Sequence, residues 1–561
     1  MDVSKLPNHH PLGWDEQFEP TTLPEMFAAT TAKQLSAPLL HFMGRTYSYS
    51  ELYSDAVRFA AGLHERGIER GDRIGLFLPN VPIYVAAYYG AMMAGAVVVN
   101  FSPLYSVDEL SQQVADSGTR ALVTVDVPEL YQTAAKVLEA SELETLVVGR
   151  LADMLPAPKR LGMKLFARSK IADVAYGPNV WRWNDLLVDA NWTWWLDQYD
   201  TAPIEPSDLA LLQYTGGTTG PPKGAMLTHA NLSLNALQVA AINPFGNPEN
   251  EVFMGALPMF HVFANTALLN HAVASSGAIA IVPRFEAKQV LATIEKYGCT
   301  GFPGVPTMFQ ALLDHPDIAK TDLSSLKVCI SGGAPLPAPL REEWENRTGT
   351  RMVEGYGLTE SSGVVSVNPY AGTRKPGTIG QVVAGTEILL LDKEDPAVIA
   401  PDGEPGELAI HGPQIMSGYW NRPEAAEDVF VQHNGKQWLR TGDVATLDED
   451  GFLQIVDRIK DMIAVGGFKV FPSQVEDILL ENEAVKEALV IGVPDPYKGE
   501  VPRAYITLRE DAAAKGRELA EWLNSRVGKH ERVDEIVIRD ELPKTMIGKL
   551  DRKALRAEVL D

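Results

Sequence analysis

A chain of 561 residues is too long for one ordinary hydrophobic core, so at least two domains are expected. Hydrophobic residues make up 45% and charged residues 22%, the balance of a soluble globular protein. Lys and Arg total 49 against 73 Asp and Glu, and the formal net charge of −24 repels a polyanion. That excludes nucleic acid as the main partner and requires any anionic ligand to be held by a local site. Cys299 and Cys329 form no CxxC motif or Cys/His cluster, so neither structural zinc nor a disulfide framework is expected. Two thiols in so long a chain fit a cytoplasmic, reducing setting, and the N-terminus lacks the basic-then-apolar order of a signal peptide.

In chain order, "DRIGLFLP", "VAAYYGAMMAG", "AVVVNF", "VDELSQQVADSG" and "ALVTVD" alternate short β-branched runs with amphipathic ones. This βαβα rhythm predicts a parallel sheet covered by helices. Ile74 to Val107 and Val252 to Pro283 lack charge, yet prolines, glycines, asparagines and histidines break them. They read as buried helix followed by buried strand, not as membrane spans. Residues 154–171, "MLPAPKRLGMKLFARSKI", carry five cations and no acid. The segment is a solvated basic patch or, on the sharper reading, an amphipathic helix that docks on an anionic membrane surface.

The rhythm returns after residue 250 with "VFMGALP", a long apolar helix, "AIAIVP", "AKQVLATIEKYG" and "GFPGVP". From about residue 386 to 457 the strand-like runs "EILLLD", "GELAIHG" and "FLQIVD" are split by the turn signals "PDGEPG" and "DEDG", which predicts an antiparallel β subdomain. A boundary falls at 458–461. Residues 462–561 read as a small α+β domain, with helices at "PSQVEDILLEN" and "GRELAEWLNSRV" and strands at "EALVIGV" and "RAYITL". The fold class is therefore α/β: a large N-terminal domain (1–457) of βαβ-layered sheets with an antiparallel subdomain, and a small mobile C-terminal domain.

Between the two βα halves lies "YTGGTTGPPKG", residues 214–224. A P-loop needs GxxxxGK followed by Ser or Thr. Counted from Gly216, the second glycine and the lysine are replaced by Pro221 and Pro222, and counting from Gly217 again meets Pro222. The remaining Gly-Lys pairs are followed by Gln437, His530 and Leu550, so the motif fails everywhere. Pro221-Pro222 also favours extended backbone, and "GAMLTH" reads as a return strand, giving a strand–loop–strand hairpin. Such a loop can still wrap phosphate oxygens with backbone N–H groups, threonine hydroxyls and one cation. A bare glycine-rich turn is the blander reading.

"YTGGTTGPPKGAMLTH" resembles the phosphate loop of the adenylate-forming superfamily: acyl-CoA synthetases, peptide-synthetase adenylation domains and beetle luciferases. "LPMFHVF" (257–263), "SGGAPLP" (331–337), "EGYGLTE" (354–360), "GELAIHGPQIMSGYW" (406–420), "RTGDVATLDEDGFLQIVDRIKDMI" (440–463), "GGFKVFPSQVE" (466–476) and "LPKTMIGKLDRK" (542–553) follow in the superfamily's order. Within it the chain is most similar to bacterial long-chain fatty-acid–CoA ligases, on "QYTGGTTG", "DRIKDMI" and "SVNPY".

The resemblance implies two half-reactions. A fatty acid carboxylate attacks ATP at the α-phosphorus with Mg²⁺ present, and coenzyme A then displaces AMP. It makes Thr215, Gly216, Gly217, Thr218, Thr219, Gly220 and Lys223 the grip on the β- and γ-phosphates. Gly333, Ala334, Glu354, Gly355, Tyr356 and Gly357 border the nucleotide, with Tyr356 against adenine and Thr359 on phosphate. Glu360, with Thr215, becomes the Mg²⁺ site, Asp443 holds the ribose hydroxyls and Arg458 reaches ribose or phosphate. Lys549 bridges the carboxylate and the α-phosphate, and Lys460 is the hinge. Gly466, Gly467 and Phe468 line the pantetheine tunnel, while Ala464 stands where several relatives carry a further lysine.

His261 could be a general base, but a carboxylate nucleophile needs none, so it reads with Phe260 and Phe263 as a gate beside the acyl site. Lys544, Arg552 and Lys553 read as solvated charge. A homodimer is the expected assembly. The alternatives are an acyl-AMP ligase loading a carrier protein, a CoA ligase for a shorter or aryl acid, and a non-catalytic nucleotide-binding protein. Glu360 and Lys549 speak against the last.

Overall fold

The computed structural model describes residues 5–166, 168–198, 203–215, 222–246, 251–465, 468–510, 512–545 and 548–560. Among them the chain builds four sheets, two of which carry the βα rhythm. In the first, Val180–Arg182, Thr145–Gly149, Thr119–Val125, Arg73–Leu76, Val97–Asn100 and Leu209–Thr215 run parallel, and Lys223–Thr228 returns antiparallel at the edge. In the second, Arg351–Tyr356, Val328–Gly332, Gly301–Gly304, Val252–Gly255, Ala278–Ile281 and Pro38–Phe42 form a parallel centre, with antiparallel strands at both edges.

The uncharged stretches are internal. Every residue of the helix Pro82–Met93 is buried, as expected of a helix that is apolar all round. Gly90 lets it approach the helix Tyr49–Glu65, because a Cβ there would stand 2.6 Å from the Ala56 carbonyl oxygen. No helix among the described residues is long and apolar enough to cross a membrane.

The third sheet is antiparallel and holds Glu387–Leu391, Gly406–His411, Phe430–His433, Lys436–Leu447 and Leu453–Arg458. The hairpin 430–447 is absent from the reading of the sequence, although its signal is present. Asn434 and Gly435 both take positive φ, 53° and 72°, as a tight hairpin turn requires. The fourth sheet joins Phe468–Val470, Ile463–Val465, Gly499–Leu508, Val485–Asp495 and Ile536–Ile538 over its own apolar core. The helices Pro472–Leu480 and Gly516–Asn524 lie where their amphipathic patterns put them.

Arg552 and Lys544 correct the expectation of solvated charge. The Arg552 guanidinium pairs with both oxygens of Glu476 at 2.7 and 2.8 Å and with Asp461 at 3.0 Å, and it donates to the Val490 carbonyl. Lys544 pairs with Glu487 at 2.6 Å. Neither partner is adjacent in sequence, so one-dimensional reading had no access to them.

Candidate active site

Parallel strands direct their carboxyl ends to one edge of a sheet, where loops are free to hold a ligand. Here a cavity of about 1540 Å³ opens at the carboxyl ends of both parallel sheets and reaches the C-terminal domain. Of the expected nucleotide and gate residues, Thr215, Lys223, Phe260, His261, Phe263, Gly333, Ala334, Glu354, Gly355, Tyr356, Gly357, Thr359, Glu360, Asp443, Arg458, Lys460 and Lys549 line it. Gly216, Gly217, Thr218, Thr219, Gly220, Gly466 and Gly467 lie outside the described residues. Phe468 is the first residue of the strand Phe468–Val470.

Thr215 and Lys223 face each other as the last register pair of the 209–228 hairpin, so they frame the glycine-rich segment between them. The hairpin is clasped from outside. Tyr214 donates to Asp116 Oδ2 at 2.7 Å, Arg422 pairs with Asp116 Oδ1 at 2.8 Å, and Trp420 Nε1 donates to the Asp116 carbonyl. Lys223 Nζ lies 5.0 Å from the centre of the Tyr419 ring, and the Tyr419 hydroxyl donates to Glu360 Oε1 at 2.7 Å. Asp116, Tyr419 and Arg422 were not singled out from the sequence. Their partners lie tens to hundreds of residues away.

The fit for Mg²⁺ is a matter of donor chemistry. The described residues contain no group of three or more His, Cys, Asp or Glu able to hold an ion. Mg²⁺ keeps several waters and takes one or two carboxylates beside phosphate oxygens, and Glu360 with the Thr215 hydroxyl supplies that kind of set. Tyr419 fixes the orientation of the carboxylate.

Asp443 is 2% exposed and held on both sides. Tyr356 donates to its Oδ2, and Arg458, its cross-strand partner, approaches Oδ1 at 3.0 Å. Tyr356 comes from the end of Arg351–Tyr356, so this contact joins the second sheet to the third. Glu354, on the same strand, is pushed up to about 8 by burial and by the Asp477 carboxylate, against a backbone hydrogen bond with Leu336.

Lys549 arrives from the C-terminal tail on a tight turn. The Thr545 N–H donates to the Lys549 carbonyl at 2.7 Å, and the Gly548 N–H to the Thr545 carbonyl at 2.8 Å. Its side chain lies against Gly333, where an added Cβ would stand 2.5 Å from Cε and 2.9 Å from Nζ. Gly333 also has φ of 80°, so glycine is required there twice over. Burial, with repulsion from Arg458, pulls the Lys549 ammonium down to about 8 while Asp443 opposes.

His261 caps the short helix Val262–Ala264, its Nδ1 accepting from the Phe263 N–H. Burial and the charge of Lys549 press its pKa down to about 3, so the imidazole is neutral and a very weak base. The preceding segment is pinned: Asn80 donates to the Leu257 carbonyl and accepts from the Met259 N–H, both at 2.8 Å, and Tyr84 donates to the Met259 carbonyl.

A model of the AMP-binding enzyme family matches residues 27–420, and a model of the AMP-binding enzyme C-terminal domain matches residues 474–549. The chain is 37% identical over 540 residues to a long-chain-fatty-acid–CoA ligase of Bacillus subtilis strain 168, covering 96% of this chain and 94% of that protein. It is 34% identical over 514 residues to a feruloyl-CoA synthase of an Amycolatopsis species, covering 91% and 94%. Among solved structures, ATP-bound MatB from Rhodopseudomonas palustris superposes with a TM-score of 0.81 at 27% identity, covering 96% of this chain and 99% of that one.

Proposed function

We propose, from the premise that this chain belongs to the AMP-binding enzyme family, that it is an AMP-forming acid–CoA ligase whose acid is a long-chain fatty acid. The observation that carries the fatty-acid reading is the shape of the cavity. Beyond Gly332 it continues along the parallel strands between Val239, Ile242, Phe253, Ile330 and Val364, which suits an extended alkyl chain. The similarity to a feruloyl-CoA synthase supports a second reading, an aryl acid, which would fill only the mouth of that cavity.

In this reading Lys223 and the loop it closes hold the β- and γ-phosphates. Asp443, pre-oriented by Tyr356 and Arg458, accepts from the ribose hydroxyls. Glu360 and Thr215 would hold Mg²⁺, which supplies charge neutralisation on the phosphates. Lys549 places an ammonium between carboxylate and α-phosphate, where charge gathers as the new bond forms. His261, neutral and half-buried beside Phe260 and Phe263, gates the acyl cavity rather than moving a proton.

Lys549 must withdraw before a thiol can reach the same carbonyl. We therefore assign residues 458–461 as the hinge between 1–457 and 462–561, with Lys460 at its centre and the 466–468 segment lining the CoA path in the second state. Cytoplasmic residence, homodimerisation and peripheral contact of the basic segment with anionic membrane belong to the same reading. Leu161, 60% exposed on the helix Ala157–Phe166 beside Arg160, supports the membrane contact. Pyrophosphate release and CoA-thioester formation over straight-chain acids of increasing length test the whole. Turnover that rises with chain length supports the fatty substrate, and turnover confined to aryl acids overturns it.

A further inference from the structure

The acyl cavity changes character at its far end. Gly332, Ile330 and Val328 line it at every second position of one strand, and Val305, Pro303 and Gly301 follow the same alternation on its neighbour. Phe253 registers with Gly301, and Gly301 with Val328, so Glu251 lies two residues deeper than Val328. At ~3.3 Å per residue those levels lie about 13 and 20 Å from Gly332, and a carbon chain with bonds of about 1.5 Å covers that span in roughly ten to sixteen carbons.

At this depth the lining holds unused acceptors. Glu251 is 7% exposed; its Oε1 accepts from Asn243 Nδ2, and its Oε2 has no hydrogen-bond partner. His271 is 3% exposed and lies against Phe253, with ring centres 4.5 Å apart. Its Nδ1 lies 3.3 Å from the Ala267 carbonyl, an acceptor, so Nδ1 carries the proton. Nε2 is then a lone-pair acceptor, and it too has no partner. Burial lowers the imidazole to about 4 and raises the Glu251 carboxyl, so neither is suited to standing as an isolated charge. Lys327, which lines the same end and draws Glu251 back toward its ionised form, disfavours a cationic ligand. A plain alkyl tail would leave both acceptors buried against methylenes, each with its hydrogen-bonding capacity unmet.

We propose that this end of the cavity is a recognition site for a hydroxyl group on the distal part of the acyl chain, so that hydroxylated fatty acids are the preferred substrates. The proposal rests on the fatty-acid reading above. A distal hydroxyl brings one donor to a place where Glu251 Oε2 and His271 Nε2 are both without one, and donates to one of the two; water filling the same space would give no such preference.

The test compares kcat/KM for pyrophosphate release with ω-hydroxy acids of about twelve to sixteen carbons against the unsubstituted acids of equal length. The expected result is at least a tenfold preference for the hydroxylated acid at one or more lengths. Of Glu251→Leu and His271→Phe, the one that removes the acceptor the hydroxyl uses is expected to abolish that preference, while both leave turnover of hexanoate, too short to reach the site, unchanged. Equal or lower kcat/KM for the hydroxylated acids at every length, or a preference untouched by both variants, overturns the proposal. If no straight-chain acid of any length releases pyrophosphate, the fatty-acid reading itself fails and this inference falls with it.

Discussion

Lys549 carries its charge into a place that penalises it. Burial and Arg458 hold its ammonium near pKa 8 against the pull of Asp443, and an anion delivered to the site would offset them further. Two outcomes follow. Lys549→Ala is expected to lower acyl-adenylate formation by about 10²–10³-fold, the scale for losing one aimed charge-stabilising donor. Thioester formation from supplied acyl adenylate should be nearly unchanged, and equal loss in both half-reactions would refute the division of labour. The second outcome is a pH profile. The active form of Lys549 is the protonated one, so adenylation kcat/KM for ATP, which reports the free enzyme, should be level below pH 8 and fall tenfold per unit above it. Lys549→Arg, charged throughout, should lose that alkaline limb whatever its absolute rate. "PKTMIGK" made this lysine legible by resemblance, whereas its depressed pKa and its contact with Gly333 depend on groups more than 80 residues away and could not be read.

At the scale of elements, the phosphate hairpin shows what pattern conveys and what it omits. The apolar run before the loop, the two prolines and the return run predicted strand–loop–strand, and strands Leu209–Thr215 and Lys223–Thr228 are found. The Asp116 clasp was invisible, because Tyr214, Trp420 and Arg422 meet Asp116 only after three separate segments pack together. Tyr214→Phe should raise the KM for ATP several-fold and cost about 1 kcal/mol of stability. A lowered Tm with an unchanged KM would mean that the clasp supports the fold alone. The missed hairpin at 430–447 is a different kind of omission: Asn434-Gly435 announced it, and its strand Lys436–Leu447 delivers Asp443 to the site.

Across the whole molecule, the C-terminal domain is posed, on the proposed reading, for the first half-reaction. Lys549 reaches Gly333, and Lys486 bridges to Asp314 of the large domain at 3.5 Å. Arg552 ties Asp461 to Glu476, so the segment 459–461 is anchored to the smaller domain on one side while Arg458 is anchored to Asp443 on the other. A pivot between them would fall at Lys460. Lys460→Pro should leave one half-reaction near its normal rate and slow overall turnover by at least an order of magnitude, since in the proposed cycle domain rotation gates the second step. Single-turnover measurements of each half-reaction check this, and normal overall turnover would sink the hinge.

What the sequence by itself determined is the alternation of elements, the failure of the P-loop pattern and the family to which the motifs belong. These depend on residue type and local spacing, which folding does not alter. Tertiary structure alone decided which charges are shielded and which are strained. Arg552, expected in solvent, is an internal anchor; His261, a possible base, is held neutral; and Glu251 and His271 are brought to the same end of one cavity. Each of these outcomes depends on the desolvation and the partners that a group meets in space, and neither quantity is a property of its neighbours in the chain.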